Sequence, residues 1–294
     1  MDSIPLTQLD LNAIIKDCDG LVIGAPLKIG NQKRVWNCAY QEKAYVLKVL
    51  KSDDVALRRV KREIEVMHIC SSAYLPKFGP VPLRELKLEG GEKVLYFLEE
   101  YIDGTPLGSV HRPMPLTEVV RLGACIGEAL AVLAKNGYVH RDVKPMNIIQ
   151  RANGLGYVLI DAGIALDRDG EAITLLGDVV GTPLYISPDQ VKLPPKELDT
   201  RADLFSLGVT LYEYASGQHP FLNDETPRGD VIHNVLQLDC LPPCFFNAEI
   251  PESLSGIIMQ LLEKDREKRY SDPCALVEAL NMLRYDISED HLTI

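Results

Sequence analysis

The chain has 294 residues, 46% of them hydrophobic and 25% charged, which excludes a disordered or collagenous chain and suffices to bury about three quarters of the unfolded surface in one large domain or two lobes. Its 42 acidic against 31 basic residues leave a formal charge of −11, which argues against nucleic acid or an anionic membrane as a partner. Seven scattered cysteines (Cys18, Cys38, Cys70, Cys125, Cys240, Cys244 and Cys274) form no C-x-x-C pair, and neither a secretion leader nor a run of 18 uncharged apolar residues occurs, so a cytoplasmic protein with reduced thiols and no membrane insertion is expected.

Taken in chain order, residues 1–20 read as an N-terminal lead-in with a short helix opened by Thr7 and supported by Asp10. From Leu21 to Leu50 the pattern is strand-like, and Tyr45 to Leu50 places one lysine, Lys48, among apolar neighbours on a strand. Ser52 is expected to cap a helix running to Ile69, with Asp53 and Asp54 in its first turn. Pro76, Gly79, Pro80 and Pro82 follow it, and Val94 to Tyr101 reads as another strand before the turn cluster Asp103-Gly104-Thr105-Pro106. Helices dominate thereafter. One is expected to be capped by Thr117 and stopped by Gly137, a second runs from Thr200 to Ser216 with Gly217 behind it, and two more cover Ser253–Lys264 and Pro273–Leu283. Strands first and helices after give an α+β fold in two lobes, 21–104 and 105–284, with a tail over 285–294.

The stretch Tyr138-Val139-His140-Arg141-Asp142-Val143-Lys144-Pro145-Met146-Asn147 carries the chemistry. It resembles the catalytic loop of the eukaryotic-like (Hanks-type) serine/threonine protein kinases, His-Arg-Asp-x-x-x-x-Asn. The resemblance implies a bilobal kinase fold, ATP and Mg2+ as cofactors, and protein substrates phosphorylated on serine or threonine. It makes Asp142 the acceptor of the hydroxyl proton and Asn147 a magnesium ligand. It sets Lys144 beside the transferring phosphate and makes Thr182 a second marker of serine/threonine specificity. Nineteen residues beyond Asp142, Asp161-Ala162-Gly163 resembles the family's Asp-Phe-Gly motif. The carboxylate that a hard cation requires is kept and the aromatic plug is not.

The same resemblance makes Lys48 the anchor of the nucleotide's phosphates and Glu63 its partner on a helix, with Glu65 as a competitor. Of the glycine-rich loop over the phosphates only Gly30 remains in Lys28-Ile29-Gly30-Asn31-Gln32-Lys33-Arg34-Val35, where Lys28, Lys33 and Arg34 either supply charge instead or stand as exposed hairpin cations. Val35, Val46, Glu100 and Tyr101 are assigned to the nucleotide's surroundings, the last two through their backbone. Glu99 then points to the back of that region as an unusual acid. Ser187-Pro188-Asp189 stands where the family has Ala-Pro-Glu, with Arg269 as partner of Asp189, and Asp203 matches a buried aspartate that secures the catalytic loop. Thr174 is the hydroxyl expected to take up phosphate by autophosphorylation, with Arg141 as its partner. Two rivals follow from the same residues: a pseudokinase that binds without transfer, for which the single loop glycine and Ala162 speak, and a phosphotransferase acting on small molecules.

Overall fold

The computed structural model describes residues 8–29, 33–88, 90–161, 184–222 and 231–289. The chain divides into two compact units, one of Met1–Ser71 with Pro76–Ile102, the other of Ser72–Leu75 with Asp103–Ile294.

The first unit is built on a five-stranded sheet: β1 (Leu21–Ile29), β2 (Lys33–Tyr40), β3 (Lys43–Lys51), β4 (Arg84–Lys87) and β5 (Lys93–Glu100), in the order β1-β2-β3-β5-β4, each neighbouring pair antiparallel. Gln41 (φ 50°) and Glu42 (φ 65°) make the two-residue turn between β2 and β3, both in the left-handed region that matches the twist of a tight hairpin. Side chains alternate across the sheet. Trp36, Cys38, Leu47, Val49, Val94, Tyr96 and Leu98 point to one face and form the unit's core, where a fully buried leucine such as Leu47 contributes about 2 kcal/mol.

Helix α1 (Gln8–Asp17) closes that face, with Ile14 and Cys18 buried in the same cluster. Its last residue, Asp17, accepts hydrogen bonds from the Tyr96 hydroxyl and the Arg84 guanidinium. Helix α2 (Asp54–Ile69) lies against the opposite face. Its cap is Asp53, not Ser52: the Asp53 carboxylate accepts from the Ala56 N–H at 2.8 Å, whereas the Ser52 hydroxyl is engaged by Glu85 on β4.

The second unit holds a small sheet of β6 (Gly104–Pro106), β7 (Ile148–Arg151) and β8 (Tyr157–Leu159) beside helices α3 (Leu116–Lys135), α4 (Pro188–Lys192), α5 (Thr200–Ser216), α6 (Val231–Gln237), α7 (Glu252–Leu261) and α8 (Pro273–Glu289). Helix α3 begins one residue before Thr117 with Pro115 in front of it and no side-chain cap. The Pro115 carbonyl accepts from the N–H groups of Glu118 at 2.9 Å and Val119 at 3.1 Å, so Thr117 lies inside the helix and not at its cap. Gly137 (φ 76°) and Gly217 (φ 78°) stop α3 and α5 in the left-handed conformation that a side chain would disfavour. Every residue of α5 from Ala202 to Ser216 is buried, the mark of a helix packed on all sides. Gly208 permits this packing, since a Cβ there would fall 2.6 Å from the Cβ of Leu261 on α7. None of the seven cysteines is in a disulfide. Among the described residues no helix is long and apolar enough to cross a membrane.

Candidate active site

In the first unit, strand register sets the site. Val35 on β2, Lys48 on β3 and Phe97 on β5 form one row across the sheet, and Asn37, Val46 and Glu99 form the next. Both rows lie on the face opposite the apolar core. Lys48 is 2% exposed, which an ammonium tolerates only with close partners. It donates to Glu63 Oε1 on α2 at 2.8 Å and to Glu99 Oε2 on β5 at 2.5 Å. Glu63 is thus the helix partner, while Glu65 is exposed.

Lys33 reaches the same Glu63 oxygen at 3.5 Å, so this cation of the β1–β2 hairpin joins the charge cluster instead of standing in solvent. Glu100 has its N–H bonded to the Lys77 carbonyl at 2.9 Å, its carboxylate accepts from the Lys77 N–H at 3.0 Å, and Tyr101 follows it half-buried. Gly30 lies outside the described residues.

In the second unit the site is a loop. A buried carboxylate, Asp203 on α5, accepts from the N–H groups of His140 and Arg141, each at 2.7 Å. Burial pushes its pKa up to about 7, against the pull of these two donors and of Arg141. The Gln190 amide from α4 grips the Arg141 carbonyl at 2.9 Å, and the Arg141 guanidinium reaches the Pro195 carbonyl at 3.0 Å. Arg141 sits at φ 67° and Asp161 at φ 55°, left-handed conformations that cost a side-chain-bearing residue on the order of 1 kcal/mol and persist only where the surroundings impose them. His140 is fully buried, and desolvation lowers its pKa to about 4, so its ring is neutral at pH 7. Its Nδ1 accepts from the Asp142 N–H at 3.3 Å, which puts the ring proton on Nε2.

Thus fixed, the loop presents Asp142 with Lys144 donating to Oδ1 at 2.6 Å and Asn147 Nδ2 donating to Oδ2 at 2.7 Å and to the backbone carbonyl at 2.9 Å. The Asn147 Oδ1 is buried and has no hydrogen-bond partner among the described residues. The Asn147 carbonyl accepts from the Ile160 N–H at 2.8 Å, so Asp161 is next in the chain to the residue bonded to Asn147. An orphaned amide oxygen next to a carboxylate-bearing residue fits a hard cation, which wants oxygen ligands and leaves most of its shell to phosphate and water. Among the described residues no three His, Cys, Asp or Glu side chains gather to hold a metal by themselves. Asp189 on α4 pairs with Arg269 at 2.7 Å, and Arg269 also donates to the carbonyls of Glu263, Arg201 and Lys264. Ala162, Thr174 and Thr182 lie outside the described residues.

The sequence pattern of the protein kinase domain matches residues 25–283. The chain belongs to that family. Among its relatives is a probable serine/threonine-protein kinase of Clostridium perfringens, 31% identical over 239 residues, which cover 80% of this chain and 33% of the relative. The serine/threonine-protein kinase PknB of Mycobacterium leprae is 35% identical over 179 residues, or 60% of this chain and 28% of PknB. The kinase domain therefore spans about a third of the length of the curated relatives it matches. The crystal structure of the PknI kinase domain of Mycobacterium tuberculosis superposes with a TM-score of 0.64 at 21% identity, covering 90% of this chain and 96% of that one, and shares the α+β kinase fold.

Two features of this kinase domain's site were not assigned from sequence: Glu99 as a second partner of Lys48, and Lys33 as a partner of Glu63. The signal for the first was an acid inside an apolar strand two residues from Phe97, the cross-strand neighbour of Lys48.

Proposed function

We propose that this kinase domain transfers the γ-phosphate of ATP to serine and threonine hydroxyls of proteins in the cytoplasm. The observation that carries the reading is Asp142 in a loop hung from Asp203, with a cation on one carboxylate oxygen and an amide on the other. The Asp142 carboxylate orients the incoming hydroxyl and takes its proton as the oxygen bonds to the γ-phosphorus and ADP departs. The Lys144 ammonium offsets charge that develops on the transferring group, and Lys48 holds the α- and β-phosphates. Gly30, Val35, Val46, Glu100 and Tyr101 surround the nucleotide, Glu63 steadies Lys48, and Thr182 helps to orient the loop toward a serine or threonine substrate. Asp161 and Asn147 are the residues that would hold Mg2+, which neutralises phosphate charge when bound. Thr174 is the expected site of autophosphorylation.

The test is incubation of the full chain with labelled ATP, magnesium and a generic basic protein beside an Asp142→Asn control. Label is expected on serine or threonine, reduced about a thousandfold in the control, as for loss of a general base. No label from the wild-type chain overturns transfer, and label on sugars or drugs alone overturns the protein substrate.

A further inference from the structure

The first unit holds a feature that the kinase reading does not require. Lys48 is gripped by two carboxylates, and they sit on different kinds of support. Glu63 rides on α2, whereas Glu99 is part of β5, whose backbone is paired with Val46 of β3 on one side and with Phe78 on the other. Glu99 is 4% exposed, and its carboxylate lies 2.5 Å from the Lys48 Nζ, the shorter of the two contacts. It therefore follows no movement of the helix. Two carboxylates accept from the ammonium, and within the group Lys33, Lys48, Glu63 and Glu99 two positive charges meet two negative ones. These four side chains have no net charge to offer an arriving polyphosphate. With one carboxylate fewer, the same group would carry a surplus positive charge.

We propose that Glu99 competes with the nucleotide's phosphates for the Lys48 ammonium, and so keeps the affinity for magnesium ATP low and the enzyme responsive to nucleotide supply. Glu99 acts through Lys48 and is a positioning residue; the inference rests on reading Lys48 as the phosphate anchor. A neutral side chain at position 99 leaves Lys48 paired with Glu63 and releases one charge-assisted donor to phosphate.

The experiment compares the full chain with Glu99→Met and the isosteric Glu99→Gln, titrated by calorimetry with the magnesium complex of a nonhydrolysable ATP analogue and, separately, with adenosine. Glu99→Met is expected to bind the analogue about tenfold tighter, the size of one charge-assisted hydrogen bond, with Glu99→Gln in between. Adenosine, which has no phosphate, is expected to bind all three equally. Tighter binding cannot arise from a misfolded variant. Unchanged or weaker binding of the analogue by both variants overturns the proposal, as does an equal gain for adenosine, which would mean a change of shape and not of charge. If the affinity gain is present while no variant transfers phosphate, the competition stands and the transfer reading falls. Transfer without an affinity gain has the opposite meaning.

Discussion

Lys48 in the first unit and Asp142 in the second are the two charged side chains that the proposed function uses most, and each is fixed within its own unit by different means. Lys48 is held by other charged side chains, Glu63 and Glu99, that converge on it from a helix and a neighbouring strand. Asp142 stands in a loop whose backbone is bonded from below: two N–H groups to Asp203, one carbonyl to Gln190, one N–H to the His140 ring. Charges held by charges can be retuned by one neutralising substitution, because each remaining partner keeps its own support. A loop held through its backbone has no such independence, and its side chains are lost together.

The strongest way to break this contrast is Asp203→Leu, which leaves the His140 and Arg141 N–H groups without their acceptor at a buried position. We expect a loss of about 4 kcal/mol of stability, the sum for two stranded donors, together with loss of phosphate transfer. Asp203→Asn keeps one acceptor oxygen and is expected to lose about half as much. Urea unfolding midpoints read both. A Leu variant as stable as the wild-type chain would mean that the loop is held by something other than Asp203.

A pH series sharpens the same point. The His140 pKa is lowered by burial from 6.5 to about 4, so on acidification the unfolded chain takes up a proton before the folded one, and stability falls between pH 6.5 and 4. Asp203 works the other way. Its carboxyl is raised by burial from 3.8 to about 7, the folded chain protonates first, and stability rises as pH falls through 7 toward 3.8. The two opposed slopes offset one another in the wild-type chain. In Asp203→Asn only the histidine remains, and unfolding followed at several pH values is expected to show about 2 kcal/mol lost between pH 6.5 and pH 5 beyond any loss in the wild-type chain. Equal slopes in the two proteins would place the loop's acid sensitivity elsewhere.

Much of this was legible in the sequence because it is written locally. The strand expected over Tyr45–Leu50 lies within β3, Gly137 and Gly217 stop their helices, and an aspartate among Leu204, Phe205 and Leu207 had to have a buried partner. The choice of Glu63 over Glu65 came from the family resemblance, and the buried contact of Glu63 with Lys48 agrees with it. Helix capping was less legible, since Ser52 and Asp53 are both good caps and the decision came from Glu85, 33 residues away from Ser52. The same holds for Glu99 and Lys33, whose partners are set by strand register and by the packing of α2, and for α1, whose apolar residues find the core of the sheet only in three dimensions.

The smallest expected effect concerns that cap. The Asp53 carboxylate satisfies one of the N–H groups that open α2 and faces the positive end of the helix, so Asp53→Ala is expected to cost about 1 kcal/mol. Ser52→Ala removes only a surface bond to Glu85 and is expected to leave the unfolding midpoint unchanged; the reverse order would make Ser52 the cap and begin the helix one residue earlier. Loosening the start of α2 weakens the support of Glu63, but Glu99 belongs to β5 and keeps its contact with Lys48. Acylation of Lys48 by an amine-directed reagent is therefore expected to be as slow in Asp53→Ala as in the wild-type chain and to rise only when Glu99 is replaced as well. Faster acylation in the single cap variant would mean that the helix, and not the sheet, sets the position of the lysine.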